Sequence, residues 1–365
     1  MSIAWRSPAA ALLAASLLLL SACSEEKPVN VLPIESSSPS PEITATPSPE
    51  PTPLPYKAPL TGIGRETEAT GRPIAVMVNN YSAARPQSGL SNADVVWEVL
   101  AEGGITRLVA IYQSTEALAD TIGPIRSNRA YLIDIADSYG AVMVHAGGSP
   151  EAYSILQKQG KPYLDEITNA GSYFWRSKER KAPHNLYSSL DKMREGADKR
   201  GYDSEKQSPA YPSSEAGTVT STAEAASSID ITFLMQSYVV GYTYDEATGL
   251  YHRTIDGQPH IDLNNNLQLT ATNLIVFETS HKTLDQVGRL AVDLESGGAG
   301  YLFQQGKKVD IEWTRSSDGM VRFLKEGQEI SLLPGKTYIH VVPNRPALAE
   351  HVTWPELQAA TSTSS

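Results

Sequence analysis

Two arginines set three residues apart, Arg126 and Arg129, lie in Ile122-Gly123-Pro124-Ile125-Arg126-Ser127-Asn128-Arg129, just ahead of a helical pattern. At that spacing both guanidinium forks can face one way and hold a carboxylate or phosphate, helped by the free amides of a helix start. A helix N-terminus already carries positive partial charge, so two arginines there cost the helix a little unless an anion sits between them. Ion pairs with Glu98, Glu102 or Asp134 would serve as well. In His145-Ala146-Gly147-Gly148-Ser149-Pro150 a histidine ends a strand above a glycine turn and a second helix start. Such a side chain can act as a general base or hydrogen-bond an anion. A histidine satisfied inside the fold is the plain alternative.

Two more segments carry candidate chemistry. Arg85-Pro86-Gln87-Ser88-Gly89-Leu90 and Glu102-Gly103-Gly104-Ile105-Thr106-Arg107 set Arg85, Glu102 and Arg107 beside glycines. Glycine lets backbone amides approach a ligand closely, although Gly103-Gly104 equally suits a simple turn between strands. Between Phe174 and Tyr187, aromatic rings interleave with Arg176, Lys178, Arg180 and Lys181, and His184-Asn185 follows. Stacking faces plus cations suit a sugar or an acidic polymer, and a solvated basic loop has the same composition. The expected ligand-binding set is therefore Arg85, Arg107, Arg126, Arg129, His145, Ser149, Arg176, His184 and Asn185. If the chain is an enzyme, Glu102 and His145 are the candidate acid and base, and they must meet at one substrate bond.

Several chemistries are excluded. The chain has no G-x-S-x-G, H-E-x-x-H or G-x-x-x-x-G-K-[ST] segment. No histidine and carboxylate set has diagnostic metal spacing; His252, His260, Asp256 and Asp262 in the later half are only a weak hint. No metal or cofactor is expected. A formal charge of −11 argues against nucleic acid as a partner.

The elements that must position these residues are short. Ile74–Val78, Ala93–Leu100, Leu108–Tyr112 and Ala141–His145 read as buried strands. Arg129–Tyr139 has helical spacing, and Pro150–Lys158 reads as a helix with Ser149 as N-cap and Pro150 in its first turn. From Ile231 onward short strands dominate: Val239–Tyr244, Leu250–Arg253, Asn273–Phe277, Gly300–Phe303 and Tyr338–Val342, with turns at Gly306-Lys307-Lys308 and Asp318-Gly319. The expected class is α+β: a mixed α/β region over 60–202, a Ser/Thr/Ala/Glu-rich linker or surface excursion over 203–228, a β-rich domain over 229–350, and a tail over 351–365.

The N-terminus reads as export machinery. Residues 1–22 have Arg6, then an apolar run too short to span a bilayer, ending in Leu20-Ser21-Ala22-Cys23. Small residues before a cysteine resemble the bacterial lipobox, which marks Cys23 for acylation and tethers the chain to the lipid bilayer. Cys23 is the sole cysteine among 365 residues, so no disulfide can form within the chain. Residues 23–59 hold ten prolines among Ser, Thr and Glu, a composition that builds a semi-stiff stalk rather than a core.

Taken in order, the segments at 85–90, 102–107, 123–127, 145–150 and 183–187, with Leu332-Leu333-Pro334-Gly335-Lys336-Thr337-Tyr338, resemble the YerB-like lipoproteins. The resemblance covers roughly residues 60–345 and implies a two-part folded region behind a lipobox, in Gram-positive-type bacteria. It implies no activity, since that family is known chiefly as a domain of unknown function. The expectation is an extracytoplasmic, lipid-anchored binding module for an anionic wall component or a wall-synthesis partner. An enzyme acting on a cell-wall polymer, or a scaffold, are the alternatives.

Overall fold

The computed structural model describes residues 54–115, 120–202 and 209–354. The expected signal peptide, Cys23, the stalk as far as residue 53 and the tail from 355 lie outside the described residues. Folded structure begins ahead of residue 60: Tyr56–Lys57 pairs with Gly64–Arg65, and Ala58 between them is buried.

In chain order the principal elements are β1 (Ile74–Asn79), β2 (Val95–Leu100), β3 (Thr106–Tyr112), α1 (Ala130–Ser138), β4 (Val142–His145), α2 (Pro150–Lys158), β5 (Tyr163–Asp165) and α3 (Leu190–Asp198). There follow β6 (Ser228–Thr232), β7 (Val239–Asp245), β8 (Leu250–Ile255), β9 (Asn273–Thr279), β10 (His281–Thr283), β11 (Leu290–Val292), β12 (Gly298–Gln304), β13 (Lys307–Arg315), β14 (Val321–Lys325), β15 (Gln328–Glu329) and β16 (Thr337–Pro343). The helices and strands of the first half and the β-rich second half match the α+β expectation. Ser149 caps α2 by accepting from Ala152 N at 3.1 Å, with Pro150 behind it, as the sequence suggests.

One large sheet runs through both halves, in the order β15-β14-β13-β12-β9-β16-β2-β3-β1-β4-β5. The joint is β16 against β2, parallel, with His340 opposite Glu98. A second, smaller sheet of β6, β7 and β8 lies over one face of the first, supplying Ile229, Ile231, Val240, Tyr242 and Tyr251 to a shared core. Helix α1 covers the other face with Leu132, Ile133, Ile135 and Ala136. Because both faces are covered, β1 and β2 are buried along their whole length and read as unbroken apolar runs. Strand β8 is covered on one face and alternates in burial instead.

This topology gathers the chemistry at one edge. Strands β1, β2, β4, β5, β9 and β16 run the same way, so their carboxyl ends lie together, and antiparallel β3 begins there. That edge is where ligands sit in open α/β sheets.

Candidate functional site

Beyond their paired portions, β1 and β4 part and the segment 124–128 wedges between them. Asn79 N donates to Pro124 O and Arg126 N to Met77 O on the β1 side, both at 2.8 Å. On the β4 side Ala146 N donates to Arg126 O at 3.0 Å, and Asn128 N to Gly147 O at 2.9 Å. The backbone of Arg126 is thus fixed from both sides, and its side chain projects from the carboxyl edge.

Three arginines meet there. Arg107, opposite Asn79 in the β1–β3 pairing, is 6% exposed and donates from Nη1 to Ser127 O at 2.6 Å. Its Nε is buried with no hydrogen-bond partner, and Arg126 Nε is in the same condition. Arg129 is ion-paired to Glu102 and donates from Nη1 to Asn128 O at 2.6 Å. Burial, and then the charge of Arg129, lower Arg107 to about 10. Burial and Arg129 lower Arg126 as well. Burial raises the Glu102 carboxyl, but the Arg129 hydrogen bond and charge outweigh it and hold it below its ordinary value. Among the described residues Glu102 is the one carboxylate that ion-pairs with this trio, so positive charge is in excess, and arginine stays charged at any physiological pH. A hollow of about 190 Å³ opens beside Arg129, Ser149 and Glu151, with Leu284 and the ion-paired Asp285 and Arg289 of the β10–β11 hairpin on its other side.

The basic loop of residues 177–185 borders the same edge. His184 stacks on Tyr81 at 5.2 Å and accepts from Asn79 Nδ2 on Nδ1 at 2.8 Å, which leaves its proton on Nε2. Burial and the nearby Arg126 and Arg180 hold His184 neutral by lowering its pKa. Asn185 closes the loop through Ser177 O at 2.8 Å, and Arg176 is taken up by Asn185 at 3.2 Å and Glu166 at 3.1 Å.

Other expected site residues lie apart. His145 is fully buried, donates from Nδ1 to Gly147 O at 2.9 Å and lies 3.5 Å from Asp165, with a stacked Tyr163. Burial lowers its pKa against the pull of Asp165. No hydrogen bond or ion pair joins Glu102 to His145; Glu102 is engaged by Arg129 and His145 is fully buried. Arg85 stands away from the trio, 5.2 Å above the Tyr238 ring. His260 and Asp262 are buried and hydrogen-bonded within the fold, and His252 is 3.8 Å from Asp245. No group of three or more metal-ligating side chains exists among the described residues.

Sequence reasoning missed a closed ring of buried polar groups on the opposite face. Glu98 accepts from Arg253 Nη2 at 2.7 Å, Arg253 Nε donates to His260 Nδ1 at 2.9 Å, and His260 Nε2 meets Gln87 Oε1 at 2.6 Å. Gln87 Nε2 donates to Asn80 Oδ1 at 2.8 Å, and Asn80 Nδ2 returns to Glu98 at 3.1 Å. Tyr238 OH adds a 2.6 Å bond to Glu98. Burial raises the Glu98 carboxyl, yet Arg253, His340 and Tyr238 together pull it well below its usual range. Glu98 therefore pairs with an arginine from the second half, and with neither Arg126 nor Arg129. A lone glutamate inside the apolar run Val-Val-Trp-Glu-Val-Leu was the available signal.

Among the described residues no helix is long and apolar enough to cross a membrane. Residues 60–203 match the family described as "Protein of unknown function (DUF3048) N-terminal domain", and residues 229–339 match its C-terminal domain. The chain is 38% identical over 297 residues to the Bacillus subtilis (strain 168) protein named "Putative lipoprotein YerB", covering 79% of this chain and 86% of that one. The crystal structure of YerB protein from Bacillus subtilis superposes with a TM-score of 0.75 at 36% identity, covering 82% of this chain and all of that one. A relative bearing a lipoprotein's name agrees with the lipobox reading at Cys23. With both halves matched in order and a superposable relative, the chain belongs to the DUF3048 family of YerB-like lipoproteins.

Proposed function

We propose that this chain is an extracytoplasmic binding module, anchored through an acylated Cys23, that recognises an oxyanion borne by a cell-envelope component. The observation that carries the reading is Arg107 Nε, buried and without a partner, in a trio of arginines that Glu102 only partly neutralises. A buried donor left unpaired costs about 1–3 kcal/mol, and more when charged, so Arg107 Nε calls for an acceptor, which an ordered water or an incoming anion can supply. A carboxylate or phosphate would accept from Arg107 and Arg126 together, with charge-assisted bonds about twice as strong as neutral ones. The stalk supports the location: an anchored domain that must reach wall material needs such a spacer.

The test uses the compact unit Thr52–Ser365, mixed with purified sacculi, beside an Arg107→Met/Arg126→Gln variant. Sedimented protein and released wall fragments are both measured. Retention that the variant loses, with no fragments released, is the expected result. Retention shared equally by the variant removes the arginine site, and released fragments replace binding with hydrolysis.

A further inference from the structure

A second cation, Arg85, lies at the same carboxyl edge but over the face that carries the Glu98 ring. Arg85 makes no ion pair among the described residues; it stacks on Tyr238 and lines a hollow of about 240 Å³ with Tyr81, Gly104, Met235 and Asp256, whose carboxylate is engaged by Val239 N at 2.8 Å. The backbone that presents it is held by the basic loop: Arg180 donates to Ala84 O, and at 2.6 Å to Pro86 O. The same loop's His184 stacks on Tyr81, a wall of the Arg85 hollow, and reaches back through Asn79 to the strand opposite Arg107. Lys178 and Lys181 on this loop are exposed. Cations thus run from the trio, past His184 and the loop, to Arg85, with an aromatic face between them. Such a track is wasted on a single small anion, because one phosphate or carboxylate fills only its first position. A ligand with charges repeated along its length would engage both ends, and the second contact would then form intramolecularly at high effective concentration.

We infer that the ligand is a linear polyanion with an oxyanion on each successive unit, one held by Arg107 and Arg126 and a later one by Arg85 in the hollow against Tyr81 and Tyr238. The inference rests on the anion-binding reading of the arginine trio. An aromatic wall beside a guanidinium suits a sugar or polyol unit carrying the charge, since the ring covers the carbon skeleton while the fork takes the oxygens.

The full chain held in phosphatidylcholine nanodiscs is titrated with glycerol phosphate and with its six-unit phosphodiester oligomer, and in parallel with galacturonate and its hexamer. At least one hexamer should bind roughly tenfold or more tightly than its monomer. Arg85→Gln should erase that gain, whereas Arg126→Gln should weaken monomer and hexamer alike. Lys178→Gln/Lys181→Gln, on exposed positions that leave the fold intact, should remove part of it. Hexamers no tighter than monomers, or a gain that survives both variants, overturn the polyanion inference while Arg126-dependent monomer binding keeps the anion site. If no probe binds, or binding ignores Arg107→Met and Arg126→Gln, both readings fall.

Discussion

Replacing Arg107 by methionine should remove anion binding without costing the fold. Arg107 is 6% exposed, and burial together with the charge of Arg129 lowers its pKa to about 10, roughly two units below a free arginine. At about 1.4 kcal/mol per unit, that shift corresponds to about 3 kcal/mol working against the charged form in the folded state. The sign is unfavourable at neutral pH: a base with a depressed folded value is fully charged in both states there, so the whole penalty is present. It would be relieved only above the folded value. Against this stands the Nη1 bond to Ser127 O, whose loss leaves a carbonyl unpaired at about 1–3 kcal/mol. Methionine is flexible and fills much of the space of the arginine stem, which keeps the cavity cost small. The balance falls between no change and a gain of about 2 kcal/mol, or about 2–4 °C in Tm for each kcal/mol. The assay is thermal unfolding with saturating phosphate and with chloride at matched ionic strength. Phosphate stabilises most proteins through exclusion, so the diagnostic quantity is the extra phosphate shift in wild type over variant. A variant that loses more than about 5 °C in chloride, or that keeps the full phosphate shift, refutes the reasoning.

Glu98→Gln strands Arg253 as an unpaired buried charge and should cost about 3–5 kcal/mol in urea unfolding, whereas a loss under about 1 kcal/mol would mean the ring is not a clamp. Gly123→Ala places a β-carbon 2.8 Å from Leu186 O at a φ of +146°, and should cost about 1–3 kcal/mol of backbone strain, read as a lower Tm with weakened phosphate binding. His145, His260, His281 and His340 all have pKa values lowered by burial, so the unfolded chain takes up protons first as pH falls below about 6.5 and stability drops with it. Tm should fall steadily from pH 6.5 to 5, and a flat profile contradicts neutral burial of these rings. Cys23→Ser should move the chain from the membrane fraction to the soluble fraction after lysis; unchanged membrane retention argues against acylation there.

The strands of the large sheet that are buried on both faces were legible because burial on two sides demands unbroken apolar runs, as in Ile74–Val78 and Asn273–Phe277. Helix α2 was legible from Ser149-Pro150, whose cap chemistry is local. Arg126 and Arg129 drew notice through spacing alone, and Arg129 proved to be the one satisfied by Glu102. Arg107 gained its meaning from register, opposite Asn79 across β1 and β3, and register depends on which strands pair. Glu98 and Arg253 lie 155 residues apart, so the sequence offered Glu98 to the nearer Arg126 and Arg129 instead. Nothing local tells a charge that finds a buried partner from one left facing solvent.

The same long-range pairing decides how rigid the candidate site is. Parallel contact of β16 with β2, and of β9 with β16, brings the hairpin β10–β11 out at the edge where β2 turns into β3. A β-carbon on Gly288 of that hairpin would lie 3.9 Å from Gly103 N, an ordinary contact distance, so the hairpin packs beside the turn between β2 and β3. On the other face Asn80 bonds Glu98, while its neighbour Asn79 bonds His184. The last residue of β1 and the one after it, pointing to opposite faces, tie the basic loop to the buried ring. The Arg126 backbone is held by Met77 O on one side and Ala146 N on the other, and Arg107 sits in the paired part of β3, so the backbone that carries these guanidinium groups is fixed. The uncompensated charge stays fixed in place, and an arriving anion need spend little on rearranging the protein around it.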